Sequence, residues 1–184
     1  MYPVTLTGRV VTLREFRDDD AADVHAIIGD DRVTQYLSFD SRTMRQSVDM
    51  INGIKERATI EPRAEYYLAV VLDGDRLAGF VRLGLGGVRA AKLGYATNAN
   101  HWGKGYATDA SRTIIAFGFS RLNLHRITAA IGPSSAASIA VATKLGLQYE
   151  GRLRDHVFTN GEWRDSLLYA KIETDDDSRE IQDL

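Results

Sequence analysis

Apolar positions change their period several times along this chain, and each change marks an element. Val10-Val11-Thr12-Leu13-Arg14 predicts a first strand. Asp18 to Asp20 then place negative charge at the start of a helix that carries Ala21, Val24 and Ile28 on one face. Met44, Val48, Ile51 and Lys55 fall on one stripe, which predicts a second helix over about 43–57 with Ser41 or Thr43 as cap. Between these helices Val33 to Phe39 carries two aromatic rings. Tyr36 is expected to pack, and Phe39 suits either packing or the lining of a cleft.

A block of strands follows: Tyr66 to Leu72, the turn Asp73-Gly74-Asp75-Arg76, Leu77 to Leu85, and Lys92 to Thr97. This predicts an antiparallel meander, with Gly84, Gly86 and Gly87 serving its second turn. Trp102-Gly103-Lys104-Gly105-Tyr106-Ala107-Thr108 then opens a helix running to Arg121, with Ala107, Ala110, Ile114 and Phe117 at helical spacing. A strand from His125 or Arg126 to Ile131 completes a crossover unit. A helix from about Ala136 to Leu145, closed by Gly146, puts Ser138 on the stripe of Val141, Ala142 and Leu145. Tyr149 to Phe158, Asn160-Gly161 and Trp163 to Ile172 predict a long hairpin, and Glu173 to Leu184 an acidic, mobile tail. The expected organisation is one domain over 1–172 with the tail at 173–184.

Composition narrows the chemistry. At 184 residues the chain is long enough to bury one core, and a formal net charge of −2 gives no global attraction to nucleic acid or anionic membranes. The N-terminus lacks a basic and apolar leader and no apolar run reaches spanning length, so a soluble cytoplasmic protein is the expectation. Cysteine is absent, which excludes a disulfide, a Cys nucleophile and thiolate metal ligation. His25, His101, His125 and His156 show no metal-type spacing, so no metal is expected. No Gly-x-Ser-x-Gly elbow supports a serine hydrolase.

The turn from Trp102 to Thr108 is the main chemical signal. Two glycines and an alanine bare the backbone where a loop becomes a helix, so unpaired N–H groups and the positive end of the helix dipole can face one anion. A nucleotide triphosphatase loop, Gly-x-x-x-x-Gly-Lys-Ser/Thr, fails because Asn98 stands five residues before Gly103 and Gly105 follows Lys104. A dinucleotide fold fails because its glycine loop follows the first strand of a parallel sheet, whereas this one follows a meander.

These residues resemble the GNAT acetyltransferase superfamily, and within it the RimJ/RimL-type N-acetyltransferases. Gly105 and Ala107 match the superfamily's Arg/Gln-x-x-Gly-x-Gly/Ala signature, and Trp102 in place of Arg or Gln fits the RimJ/RimL branch. Leu124-His125-Arg126 leading to Ser138 through Leu147, and Asn160-Gly161-Glu162-Trp163-Arg164-Asp165, match two further blocks in the same order. The resemblance implies an α+β fold: a mixed, mostly antiparallel sheet splayed at its middle and flanked by about four helices, with acetyl-CoA in the gap. It implies that backbone groups of Tyr95, Ala96 and Thr97 hold the pantetheine and thioester. The amides of Trp102, Gly103, Lys104, Gly105, Tyr106, Ala107 and Thr108 would take the pyrophosphate. Lys104 suits either added charge there or a solvated position.

By the same resemblance an amine attacks the acetyl group directly, and Ser138 protonates or hydrogen-bonds the leaving sulfur. Ser135 stands where the family usually has Asn, so a contact to pantetheine there falls to a shorter hydroxyl. RimL-type enzymes are held to use a glutamate at the start of the final hairpin as base, and Val157 occupies that place. Asp155 and His156 are nearby carboxylate and imidazole candidates, with Glu15 and Glu65 further ones. At pH 7 an α-amine of pKa about 8 is roughly a tenth neutral, and a lysine amine near 10.4 about 0.04%. That gap is worth roughly 3 kcal/mol, so a chain without a strong base suits an α-amine. The expected acceptor is a peptide or protein N-terminus. The alternatives are a small-molecule amine (polyamine, amino sugar, antibiotic) and a non-catalytic acyl-CoA-binding module. A homodimer is a family-level expectation.

Overall fold

Alternation along the strands sends apolar side chains to both faces of one sheet, and each face is covered by helices. The computed structural model describes residues 1–175. The strands are β1 (Thr5–Thr7), β2 (Thr12–Arg14), β3 (Glu65–Val71), β4 (Leu77–Leu85), β5 (Ala90–Thr97), β6 (Arg126–Ile131), β7 (Gln148–Thr159) and β8 (Glu162–Ile172), ordered β1-β2-β3-β4-β5-β6-β8-β7. Every pairing is antiparallel except β5 with β6, which a crossover helix joins in parallel. The α+β class and the meander read from the sequence are both present.

The helices are α1 (Ala21–Ile28), α2 (Asp31–Thr34), α3 (Met44–Ala58), α4 (Tyr106–Arg121) and α5 (Ala136–Lys144), so five rather than about four flank the sheet among the described residues. Leu68, Val70, Val81, Leu83 and Leu93 face one side, where Ile114 and Phe117 of α4 seal them from water. Ala69, Val71, Phe80 and Ala96 face the other, under Val24, Ile27 and Ile28 of α1 and Ile51 and Ile54 of α3.

Thr43 caps α3, its hydroxyl accepting from the Gln46 N–H while Gln46 reaches back, a reciprocal capping box. The buried stripe of α3 is Ser47, Ile51, Ile54 and Ala58, however, and Met44 and Val48 are exposed. The predicted stripe is thus rotated about one position, because Ile51 and Ile54 pack together against α1 and Ser47 lies under His25, 3.3 Å away. Tyr36, expected to pack, is 40% exposed.

Two buried ion pairs pin the N-terminal segments. Arg14 donates through both Nη atoms to the two oxygens of Asp20 at 2.8 Å, and Arg63 grips Glu15 at 2.7 and 3.0 Å. Of the predicted tail, Glu173–Asp175 form one 3-10 turn held to the body, where Glu173 pairs with Arg89 and its N–H donates to the His125 carbonyl at 3.0 Å. The remainder, 176–184, lies outside the described residues. No helix among the described residues is long and apolar enough to cross a membrane.

Candidate active site

β5 and β6 share only three register positions, Ala90–Arg126, Ala91–Ile127 and Lys92–Thr128. β5 runs on to Thr97 and β6 to Ile131 without further pairing, so the sheet forks there. The inner edge of Leu93 to Thr97 therefore offers peptide groups that no neighbouring strand takes, while the outer edge is fully paired to β4. Tyr95, Ala96 and Thr97 all stand on this fork.

The predicted anion loop lies at the end of the same strand. Gly103 and Gly105 adopt φ +76° and +82°, the left-handed region that favours glycine, and nothing lies within 4 Å of where a Cβ would stand on either. Gly105 is the N-cap of α4, and no side chain caps that end. The first amides of α4, at Tyr106, Ala107 and Thr108, are left to face a ligand. Lys104 is exposed. Trp102 has a different part: its indole Nε1 donates to the Thr97 carbonyl at 3.0 Å, tying the anion loop to the tip of β5. The sequence showed Trp102 as a member of the turn and as a branch marker, not as a tie to β5.

Across the fork sits α5. Ser135, buried, is its N-cap residue without using its hydroxyl as cap, and half-buried Ser138 lies one turn further in. Ser138 faces the side chain of Tyr95. The Tyr95 hydroxyl is buried with no well-formed hydrogen bond among the described residues. Burial pushes this phenol above its ordinary pKa and the Ser138 hydroxyl works against the rise. A neutral phenol and a serine hydroxyl thus lie side by side at the fork without a formed hydrogen bond, and Tyr95 contributes a side chain where the sequence pointed only to its backbone.

The opposite face holds a cleft of about 660 Å³ lined by Leu37, Phe39, Met50, Tyr67 and Phe80 and by Arg42, Asp49, Arg57, Glu65 and Arg82, with its floor reaching Gly94 and Tyr95. Cross-strand register explains this floor: Tyr67, Arg82 and Gly94 stand in one row across β3, β4 and β5. The missing side chain at Gly94, where a Cβ would meet nothing within 4 Å, opens the row to the fork. Arg164 of β8 donates to the carbonyls of Gln35 and Leu37, and the Asn160 N–H donates to Asp40 at 2.8 Å, so the final hairpin clamps the wall that carries Phe39.

The base candidates separate clearly. Glu15 is locked by Arg63 and the Val4 N–H, and it serves structure. Asp155 and His156 lie in a bulge of β7 between Leu153 and Val157, where the Asp155 N–H donates to Asp165 at 2.9 Å and the His156 ring meets Ser166 at 3.0 Å. Val157 pairs with Arg164 and brings no carboxylate. Glu65 alone among the four lines the cleft, its oxygens taken by Arg57 Nε at 2.7 Å and Arg82 Nε at 2.5 Å. Burial would raise its pKa, but the hydrogen bonds from Arg57 and Arg82 outweigh it and hold the carboxyl below its ordinary value. Such a carboxylate is a poor proton acceptor at neutral pH. The arginines were missed in the sequence, although Arg82 is a charged break in the apolar run of β4 and could have been flagged.

A family profile described as "Acetyltransferase (GNAT) domain" matches residues 11–148. The uncharacterized N-acetyltransferase p20 of Bacillus licheniformis is 33% identical over 172 residues, covering 91% of this chain and 96% of that protein. The spermidine N(1)-acetyltransferase of Escherichia coli is 31% identical over 110 residues, 59% of each chain. Among solved structures, Mycobacterium smegmatis RimJ in complex with a CoA-disulfide superposes with a TM-score of 0.82 at 26% identity, over 94% of this chain and 90% of that one. With the forked sheet and the uncapped glycine turn in place, this chain belongs to the GNAT family of acetyltransferases, enzymes that take their acetyl group from acetyl-CoA.

Proposed function

We propose that this N-acetyltransferase acts on an α-amine at a peptide or protein N-terminus, a cytoplasmic reaction of the kind expected in the RimJ/RimL branch. The observation that carries the reading is the junction of the fork with two differently built openings: a bare, uncapped glycine turn on one side and a cleft of about 660 Å³ on the other. Unfilled space at Gly103 and Gly105 and the unpartnered Tyr95 hydroxyl suit the donor's pyrophosphate and thioester ends. Acetyl-CoA supplies an acetyl carbon to which the amine lone pair bonds as the C–S bond breaks and sulfur leaves as thiolate.

The free edge of Tyr95, Ala96 and Thr97 supplies N–H donors for the carbonyl oxygen, and amides fixed in a strand need no reorganisation as charge develops. The uncapped amides of Gly103 to Thr108 hold phosphate. Ser138 hydrogen-bonds the departing thiolate, with Tyr95 beside it, and water returns to that sulfur the proton that the amine releases. The amine's own proton passes to water, since Glu65 is held by two arginines and the Val157 position carries no acid.

The test is release of free thiol from acetyl-CoA across a panel of amines, run beside Ser138→Ala. Peptide N-termini should turn over faster than internal lysines. The rate should rise with pH through the acceptor's own pKa, shifting when the acceptor is exchanged. Ser138→Ala should lower kcat about 10²-fold, the usual worth of a positioned hydrogen-bond donor. Fast turnover of lysines alone, or an unchanged kcat in Ser138→Ala, defeats the assignment.

A further inference from the structure

The cleft carries more positive charge than an amine acceptor explains. Its lining holds Arg42, Arg57 and Arg82 against Asp49 and Glu65, a formal balance of +1. Arg57 and Arg82 each meet Glu65 through Nε alone. Among the described residues no acceptor takes their Nη groups, and no carboxylate pairs with Arg42, which stacks 5.2 Å over the Phe39 ring. Three guanidinium forks with free N–H donors therefore ring one cleft. The donor's phosphates do not account for them, because α4 and its glycine turn belong to the opposite face of the sheet. Arg82 shares its row with Gly94 on the strand that borders the fork, and its guanidinium leans along β4 over Gly84 to reach Glu65.

We propose that the acceptor presents a carboxylate close to its reactive amine on an apolar body, and that Arg42, Arg57 and Arg82 bind that carboxylate. The apolar body fits against Phe39, Met50, Tyr67 and Phe80, of which the Tyr67 and Phe80 rings stand edge to face with centroids 5.4 Å apart. Glu65 is the positioning residue: by bridging Arg57 and Arg82 it fixes both cations against their mutual repulsion. A polyamine, which keeps further positive charges beyond the amine that reacts, is repelled. The inference rests on the acetyltransfer reading above and names its substrate class. A carboxylate next to an amine comes either from a free amino acid or from an acidic side chain near a peptide N-terminus, and the experiment separates them.

Thiol release is measured with acetyl-CoA and tripeptide amides whose second residue is Glu, Gln or Lys, with phenylalanine against phenylalaninamide, and with spermidine, each rate corrected for its neutral amine fraction. A carboxylate bound by charge-assisted hydrogen bonds should favour Glu over Gln roughly tenfold in kcat/KM, mainly through KM, with Lys and spermidine poorest. A larger ratio for phenylalanine over its amide assigns a free amino acid; a larger ratio for Glu over Gln assigns an acidic peptide. Arg42→Glu, on an exposed side chain, should reverse the order of the Glu and Lys peptides at an unchanged melting temperature. Equal rates for Glu, Gln and Lys peptides overturn the carboxylate proposal and leave acetyl transfer standing. Absence of turnover with every amine, by protein that binds acetyl-CoA, overturns the transfer reading and this inference with it.

Discussion

A methyl group at position 105 would stand in the space that the glycine turn leaves open, and it would force an L residue to φ +82°. The left-handed conformation costs an ordinary residue about 1–2 kcal/mol, and the methyl would also crowd whatever anion the first amides of α4 bind. Gly105→Ala should therefore weaken acetyl-CoA at least tenfold by calorimetric titration while the protein stays folded. An unchanged affinity would remove the turn from the donor site. Trp102 shows how a single residue can matter in a way its type does not announce. Its bond to the Thr97 carbonyl ties the loop to the end of β5. Glu65 shows the converse, a carboxylate in the right cleft whose partners make it a fixed charge and not a base.

At the scale of elements, the hairpin of β7 and β8 is more than an edge of the sheet. Its tip reaches across to Gln35, Leu37 and Asp40, so a segment near the end of the domain holds the wall of a cleft built by its beginning. Charge-assisted hydrogen bonds are worth about 1.5–3 kcal/mol each. Arg164→Met should loosen that wall and raise the acceptor KM roughly tenfold. Acetyl-CoA affinity should stay as it is, since α4 and the fork are untouched. Equal effects on both substrates in steady-state kinetics would show a general loss of structure instead. α3 teaches the same dependence on partners. Its helix, cap and length are plain in the sequence, but which side it buries was decided by α1, and Met44 and Val48 face outward.

For the whole molecule, acid is the condition that should undo the fold. Glu65 is held low by Arg57 and Arg82 against the upward push of burial. Asp75 is held low foremost by its hydrogen bond from Arg14, and Glu150 by its hydrogen bond from Arg126. A carboxyl whose folded pKa lies below its unfolded value contributes stability that is complete above the unfolded pKa, about 4, and is lost as pH falls through the folded one. The melting temperature should accordingly be flat from about pH 6 to 8 and drop as pH falls below about 4. A melting temperature that rose with acid would contradict these pairings.

By itself the sequence determined the elements, their order and the glycine-bare turn that opens α4. Strand alternation, the Thr43 cap, the Asn160-Gly161 hairpin and the glycine-bare start of α4 depend on residues close together in the chain, so neighbours alone specify them. The order of those pieces was enough to suggest the family. A sheet splayed at its middle was implied by the resemblance, but only the tertiary structure decided that it opens after Lys92, that Tyr95 lies beside Ser138, and that Arg57 and Arg82 bridge Glu65 in a cleft that also holds Arg42. Each of these joins residues from separate elements, and side-chain chemistry in isolation does not say which charge will find which partner. Glu65 and Arg82 are 17 residues apart, yet one strand pairing makes them a bridge, and that bridge turns a candidate base into a fixed charge in the cleft wall.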